Sequence, residues 1–255
     1  MNQGTWWRMR AVSLITILMA FGCSGQPSQA APAPASAPTA AAPGGATVTG
    51  RVLLEGTPPA AAKVKMDADP VCQQQHAAAV HAQEIVTANG GLQYVFIYVK
   101  SGLEGRTFPT PTQPVIVDQQ GCLYEPHVLG VQVNQPLQLV NSDATLHNVN
   151  AKPTRSTPFN VAMPVKGMKI TKTFAKPEIM VPIKCNVHPW MQAYLGVVEH
   201  PFFSVSGPEG AFSIAGLPAG AYTLEAWHEK LGVSTQTVTV ADGETKTVTF
   251  TFRVS

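Results

Sequence analysis

The chain has 255 residues, of which 45% are hydrophobic and 13% are charged, and its formal net charge at pH 7 is +2. A chain of this length can bury one large core or two ordinary ones. Because charges are few and no block of Lys or Arg occurs, the composition argues against a nucleic-acid partner. Apart from the N-terminal stretch, the composition is that of a globular protein.

The N-terminal segment, residues 1–22, has the pattern of a signal peptide. Two arginines precede the apolar run Ala11–Phe21, which is too short to cross a bilayer. Cys23 follows after a single glycine, and this arrangement resembles a bacterial lipoprotein signal. The resemblance implies cleavage ahead of Cys23 and a lipid on its sulfur, which would anchor the chain to a membrane on the periplasmic or cell-surface side. An ordinary cleaved signal is the alternative.

A linker follows at residues 23–46. It consists mostly of Ala and Pro and carries no charged side chain. Such a tract cannot form a core and should behave as an extended, partly polyproline tether. After a lipidated cysteine, a tether of this kind would hold a folded domain clear of the membrane surface.

From Thr47 onward the sequence predicts an all-β protein. Short apolar segments alternate with turns rich in Gly, Pro, Asn and Asp, which is typical of β-sandwiches and barrels. The predicted strands are TVTGRVLL, LQYVFIYV, PVIVD, VLGVQV, LQLV, MKITKTF, IMVPIKC, AYLGVVE, GAFSIAGL, AYTLEAW, STQTVTV and TKTVTFTF. LQYVFIYV, residues 92–99, is almost continuously apolar and should be a central strand covered on both faces. The one predicted helix is Asp69–Glu84, which is rich in Ala and Gln.

Two β modules are predicted to share this region. GLPAGAYTLEAW, with TVTVADGETKTVTFTF after it, resembles the C-terminal half of a carboxypeptidase regulatory-like, transthyretin-type sandwich. TVTGRVLLEGTPP resembles the first strand and turn of the same module. The resemblance implies that residues 47–111 and 202–255 form one sandwich, with residues 112–201 inserted between them. Since domain termini usually lie close together, insertion is favoured over two unrelated domains in series.

The segment KCNVHPWM places Cys185, His188 and Met191 on one short loop. A thiol, an imidazole and a thioether bind soft metals well, and a type 1 copper site needs two imidazoles, one thiolate and a weak axial thioether. His147, directly after a predicted strand and a short turn, is the candidate for the second imidazole. The alternative is a buried cysteine and methionine in a core, with a histidine at its rim.

The region of residues 112–201 resembles a cupredoxin. CNVHPWM has the ligand spacing of amicyanin, and HNV and LYEPHVLGVQVNQPLQLVNSD are similar to cupredoxin strands. The resemblance implies a Greek-key β-sandwich that binds one copper ion and passes on one electron at a time. The implied copper ligands are His147, Cys185, His188 and Met191.

The same resemblance implies roles for residues beside the ligands. Asn148 would tie the two ligand loops together, and His188 would reach the surface as the electron port. Pro189 and Trp190 would form an apolar docking rim; for Trp190 the alternative is packing against the second module. The sequence departs from the cupredoxin pattern in two respects. Leu146 lies where many cupredoxins have proline, and the chain continues into another β module after the final cupredoxin strand.

Two cysteines, Cys72 and Cys122, have no role in the proposed copper site or lipid anchor. In an exported protein they most simply form a disulfide, which would contribute about 4 kcal/mol by the chain-entropy argument. The alternative is a second metal site formed by Cys72, His76 and His81. The remaining histidines are expected to be hydrogen-bonded structural residues: His127, His200 and His228.

The sequence therefore predicts an exported type 1 copper protein that carries electrons between redox proteins and is not an enzyme. Copper enzymes of this kind need a second copper centre, and only one Cys-His-Met loop occurs. One alternative is a copper-binding or copper-delivery protein without redox cycling, which would have labile metal and an exposed, methionine-rich site. Met163, Met168 and Met180 surround the region but are expected to belong to the core. The other alternative is a structural or carbohydrate-binding β protein.

Overall fold

The computed structural model describes residues 44–254. The predicted signal peptide, the lipidation site Cys23 and nearly all of the linker lie outside these residues. Within the described part the protein is almost entirely β, so the all-β prediction is confirmed. No helix in this part is long and apolar enough to cross a bilayer.

The strands, numbered in chain order, are β1 (Ala46–Glu55), β2 (Thr87–Ala88), β3 (Gly91–Leu92), β4 (Phe96–Ser101), β5 (Val115–Gln120), β6 (Leu123–Glu125), β7 (Val128–Gln132), β8 (Leu137–Asn141), β9 (His147–Ala151), β10 (Phe159–Met163), β11 (Lys169–Lys172), β12 (Glu178–Lys184), β13 (Gln192–Val198), β14 (Phe203–Val205), β15 (Ala211–Leu217), β16 (Gly220–His228), β17 (Gly232–Val240) and β18 (Thr245–Arg253). The helical elements are α1 (Pro70–Gln74) and a 3-10 turn (Pro208–Gly210).

Two sheets form the first sandwich, which contains the Cys-His-Met loop. One sheet has the strand order β10-β9-β12-β13-β7 and the other β11-β8-β5-β6. Most pairs are antiparallel, but β13 runs parallel to β7 and β5 runs parallel to β8. Inward-facing side chains of both sheets, among them Leu129, Leu139 and Leu195, share one buried cluster. This is the expected core of two facing sheets.

The second sandwich combines strands from both ends of the described chain. One sheet has the order β15-β1-β3-β2, with β18 also paired to β1, and the other has the order β14-β4-β16-β17. Strands before residue 112 thus pair with strands after residue 201. An inserted module would produce this pairing, while the boundaries at residues 47–111, 112–201 and 202–255 stay a prediction.

Strand β4 is covered on both faces, as the sequence predicts. Ile97 and Val99 lie in the core of the second sandwich. Phe96 and Tyr98 point the other way, into a smaller cluster with side chains of the first sandwich. The strand is shorter than predicted because Tyr94, at φ +63°, interrupts the extended backbone before Phe96.

Two glycines allow the sandwiches to contact each other closely. Gly130 in β7 and Gly196 in β13 are paired across the sheet. A Cβ atom on Gly196 would lie 2.4 Å from the Phe96 ring, and one on Gly130 would lie 2.4 Å from the Phe203 ring. The aromatic rings of the second sandwich therefore lie directly on the backbone of the first.

The predicted helix Asp69–Glu84 is largely wrong, because α1 ends at Gln74. Asp69 caps its first turn, with Pro70 at the first helical position. Farther along, the chain is extended and His81 forms an antiparallel bridge with Lys63. Alanine-rich segments this short are marginal as helices, so the backbone pairing prevails. Residues 63–82 are called the cover segment below.

The disulfide between Cys72 and Cys122 is confirmed, and it joins α1 to the turn between β5 and β6. The alternative of a metal site at Cys72, His76 and His81 is wrong, because the Cys72 sulfur is bonded to Cys122. His76 instead contacts the Gly121 carbonyl oxygen through Nε2 at 2.7 Å. The disulfide fastens the cover segment to the first sandwich.

The contact at Gly196 predicts a measurable cost of adding one methyl group. We expect Gly196→Ala to lower the free energy of unfolding by about 1–3 kcal/mol, because the new Cβ overlaps the Phe96 ring. Urea unfolding followed by fluorescence measures this cost. Adding Phe96→Leu to Gly196→Ala should recover part of the loss; strictly additive losses from the two changes would contradict the contact.

Candidate metal centre

Adjacent strands bring the two predicted ligand loops together. His147 is the first residue of β9, and Cys185 follows directly after β12, which pairs with β9. The second loop is closed by its own backbone: Met191 N–H donates to the His188 carbonyl at 2.9 Å, and Cys185 N–H donates to the Met191 carbonyl at 3.1 Å. The loop is therefore compact before any metal is considered.

Three predicted ligands present their donor atoms to one point. His147 Nδ1 lies 2.9 Å from His188 Nδ1, and Cys185 Sγ lies 3.9 Å from His188 Nδ1. All three donor atoms lie within 4.8 Å of one another. Bonds from nitrogen and sulfur to a divalent metal are roughly 2.0–2.3 Å long, so one ion can reach all three. The side chains are buried, with 0%, 3% and 3% exposure for His147, Cys185 and His188.

Each imidazole is held from behind by a carboxylate. His147 Nε2–H donates to Asp143 Oδ2 at 2.9 Å, and His188 Nε2–H donates to Asp69 Oδ2 at 3.0 Å. These bonds engage Nε2 of each imidazole and turn the two Nδ1 atoms toward each other. Two Nδ1 atoms 2.9 Å apart can share a proton when no metal is bound, and a metal ion can replace that proton. The donor set therefore fits a metal ion.

The carboxylates are ionised. Burial raises the pKa of Asp143, but hydrogen bonds from His147 and from two backbone N–H groups outweigh burial and lower the pKa. Burial also works against ionisation at Asp69, where hydrogen bonds from Thr145 and His188 lower the pKa. Burial alone lowers the pKa of His147, yet Asp143 and the nearby thiol raise it to about 9. The centre thus has two negative groups behind its nitrogen donors.

The Cys185 thiol lies among hydrogen-bond donors. Burial raises its pKa, but a hydrogen bond from His147 and several backbone N–H groups lower it overall. His188 N–H, for example, points at Cys185 Sγ from 3.4 Å. A lowered thiol pKa favours the thiolate, which is the form that binds metals.

Asn148 joins the two ligand loops. Its Oδ1 accepts a hydrogen bond from Asn186 N–H at 2.6 Å and lies 3.4 Å from Cys185 Sγ. This geometry is what the cupredoxin resemblance implies for this residue. The connection keeps the loop after β12 in register with the start of β9.

Met191, the predicted axial ligand, is fully buried in the core of the first sandwich, as Cys185 is. Its backbone closes the ligand loop, as described above. Its role as a fourth ligand stays a prediction.

The predicted electron port is not exposed. His188 is only 3% exposed because the cover segment lies over it: Asp69 Oδ2 and Cys72 Sγ are 3.0 and 3.6 Å from its Nε2. The prediction was wrong because the resemblance to cupredoxins spans residues 112–201 and leaves out the cover segment. Pro189 is exposed as predicted.

Trp190 does not pack against the second sandwich, and its role in a docking rim stays a prediction. It is half-buried, its ring centroid lies 5.1 Å from that of His188, and its Nε1–H donates to the Cys122 carbonyl at 2.9 Å. It packs against the core of the first sandwich, not against the second. Trp190 therefore helps to enclose His188.

Sequence reasoning missed Asp143 and Asp69. Asp143 could have been predicted, since it lies four residues before His147 and such a carboxylate commonly orients a ligand histidine. Asp69 could not be found without the fold, because its segment is distant in sequence and reaches the site through the disulfide and hydrogen bonds. Two further groups with metal-ligand spacing, Asp69–Cys72–His188 and Cys122–Asp143–His147, each include a disulfide sulfur. They surround the first group and are not separate sites.

The other histidines form hydrogen bonds, as predicted. His127 contacts the Gln192 carbonyl through Nδ1 at 3.1 Å and Glu229 through Nε2 at 2.5 Å. His200 Nε2 contacts the Val99 carbonyl at 2.9 Å, and His228 Nδ1 accepts from Lys230 N–H at 3.2 Å. None of them belongs to the candidate centre.

Comparison with known proteins gives partial matches. The family described as polysaccharide lyase family 4, domain II, matches residues 202–248. Among curated proteins there is no significant match. The carboxypeptidase regulatory-like assignment of the second sandwich stays a prediction.

Similar solved structures include copper proteins. A copper-containing nitrite reductase from Thermus scotoductus SA-01 is 25% identical over 38% of this chain and 24% of its own, with a TM-score of 0.32. A mutant of amicyanin in its Cu(I) form is 23% identical over 33% of this chain and 81% of its own, with a TM-score of 0.30. A purple cupredoxin from Nitrosopumilus maritimus is 19% identical over 33% of this chain and 97% of its own, with a TM-score of 0.28. Each match covers less than half of this chain.

The role of Asn148 predicts a loss of stability without metal. We expect Asn148→Ala to lower the free energy of unfolding of the metal-free protein by about 1–3 kcal/mol, because Asn186 N–H loses its acceptor. The matched control is Asn150→Ala on the same strand, which removes an exposed hydrogen bond to the Asn186 side chain. That change should cost less than about 0.5 kcal/mol. Equal losses in the two variants, measured by urea unfolding, would contradict the role of Asn148.

Proposed function

We propose that this chain is a type 1 copper protein that carries one electron at a time between redox proteins. The observation that carries the proposal is the pair of Nδ1 atoms, 2.9 Å apart and both turned inward, beside the Cys185 sulfur. Two imidazoles and a thiolate are the ligand set of such sites, with Met191 as the axial thioether. Bound copper would supply the Cu(I)/Cu(II) couple.

The chain's own residues would keep the site rigid during electron transfer. His147 and Cys185 are attached to paired strands, and the Cys185–Met191 loop is closed by backbone hydrogen bonds. Asn148 links the two loops, and each imidazole is held by a carboxylate. A site that cannot rearrange between oxidation states loses little energy to reorganisation, which favours fast transfer.

Copper delivery without redox cycling is the less favoured function. A delivery site must release its metal, whereas the three donor side chains here are at most 3% exposed. The methionines that could assist delivery lie in or against hydrophobic cores: Met163, Met168 and Met180. We therefore assign these methionines to packing.

A carrier is favoured over an enzyme because the described residues contain one independent donor cluster. The other two groups with ligand spacing share its histidines and use disulfide sulfurs. Substrate chemistry at copper would need an open coordination position or a second centre. The proposed ligand set leaves neither.

Partners would dock at the end of the first sandwich that holds the ligand loops. Leu146 and Val187 are each 44% exposed, and each directly precedes a ligand histidine. With Pro189 they offer an apolar contact close to the metal. We propose that the chain works on the periplasmic or cell-surface side, held at the membrane through lipidated Cys23. The second sandwich would serve as a scaffold, since its aromatic rings lie on the backbone of β7 and β13.

The proposal predicts a visible spectrum. The full chain in detergent, loaded with Cu(II), should show an intense blue or green thiolate-to-copper absorption that disappears on adding ascorbate. Cys185→Ser should lack this band, because a serine oxygen cannot supply the charge transfer. A spectrometer and a copper assay are sufficient for this test.

Two outcomes would contradict the proposal. Tightly bound but colourless Cu(I) that resists oxidation would favour copper delivery. If the wild-type chain binds no stoichiometric copper, Cys185 and Met191 are core residues and not metal ligands.

A further inference from the structure

One carboxylate outside the cupredoxin-like region connects three separate parts of the chain at the candidate centre. Asp69 Oδ1 accepts the Val71 N–H at 2.8 Å and so caps α1. Asp69 Oδ2 accepts the Thr145 hydroxyl at 2.9 Å and the His188 Nε2–H at 3.0 Å. The cover segment is thus bonded to the loop before His147 and to the loop that holds His188.

The disulfide extends this connection around the site. Cys72, three residues after Asp69, has its Sγ 3.6 Å from His188 Nε2. Its partner Cys122 donates its backbone N–H to Asp143 Oδ2 at 2.7 Å, and Asp143 in turn holds His147. The disulfide therefore bridges the two carboxylates that orient the two imidazoles.

We propose that Asp69, carried by the cover segment and anchored by the Cys72–Cys122 disulfide, is a positioning residue of the metal centre. Its carboxylate fixes the orientation of His188 and closes the outer edge of that imidazole to solvent. The part of this inference that concerns bound copper rests on the proposed function; the part that concerns the imidazole does not.

Two consequences follow from the position of Asp69. Its hydrogen bond, together with Cys72 and Trp190, shields the His188 Nε2 proton from exchange with water. Its negative charge, one imidazole away from the metal, stabilises Cu(II) more than Cu(I) and so lowers the reduction potential. The first consequence depends on geometry and the second on charge.

Three variants separate geometry from charge. Asp69→Asn removes the charge and keeps one acceptor oxygen in place of two, which can serve either the helix cap or His188. Asp69→Ala removes the charge and both acceptor oxygens. Asp67→Asn is the matched control: it removes one negative charge from an exposed side chain of the same segment.

The first measurement is the exchange rate of the His188 Nε2 proton, observed by NMR in the metal-free protein and in the Cu(I) form. We expect Asp69→Ala to speed exchange by roughly tenfold or more, because a hydrogen bond to a charged group is lost. Asp69→Asn should speed it less, and Asp67→Asn should leave it unchanged. Exchange in Asp69→Ala at the wild-type rate would overturn the proposal.

The second measurement is the reduction potential of the copper-loaded variants. We expect both changes at Asp69 to raise the potential, and Asp67→Asn to shift it by much less, since an exposed charge is screened. Equal shifts in Asp69→Asn and Asp67→Asn would overturn the electrostatic role. If the wild-type chain binds no copper, the proposed function fails, while exchange in the metal-free protein still decides whether Asp69 positions His188.

Discussion

The disulfide between Cys72 and Cys122 is the constraint on which the candidate centre depends. It fastens a segment from the N-terminal part of the chain across the end of the first sandwich, and hydrogen bonds at both of its ends lead to ligand histidines. With Asp143 behind His147 and Asp69 behind His188, both Nδ1 atoms turn inward. The outer part of the site is therefore formed by covalent and ionic contacts between distant segments, and its inner part by two strand ends.

The same arrangement explains why the site is enclosed. Because the cover segment and Trp190 surround His188, the electron transfer that we propose would not use an exposed imidazole edge. The second sandwich contacts the first, since Phe96 of β4 packs on Gly196 of β13, the strand that follows the ligand loop.

Much of this could be predicted from the sequence, and the failures have physical causes. Strand alternation and turn residues gave the β fold, and the Cys-His-Met spacing identified the inner donors, since both signals are local. The helix at Asp69–Glu84 failed because intrinsic propensity was outweighed by backbone pairing with residues near Lys63. The prediction that His188 is exposed failed because the residues that cover it, in the cover segment, are distant in sequence. The contact of Asp69 with the site could not be predicted for the same reason, whereas that of Asp143 could have been predicted from its spacing to His147.

The most direct test of the central claim is X-ray absorption at the copper edge of the wild-type chain loaded with one equivalent of Cu(II). The account predicts one short copper–sulfur bond and two imidazole nitrogen ligands, from Cys185, His147 and His188. A copper ion surrounded only by nitrogen and oxygen would contradict it, because Cys185 would then take no part in binding.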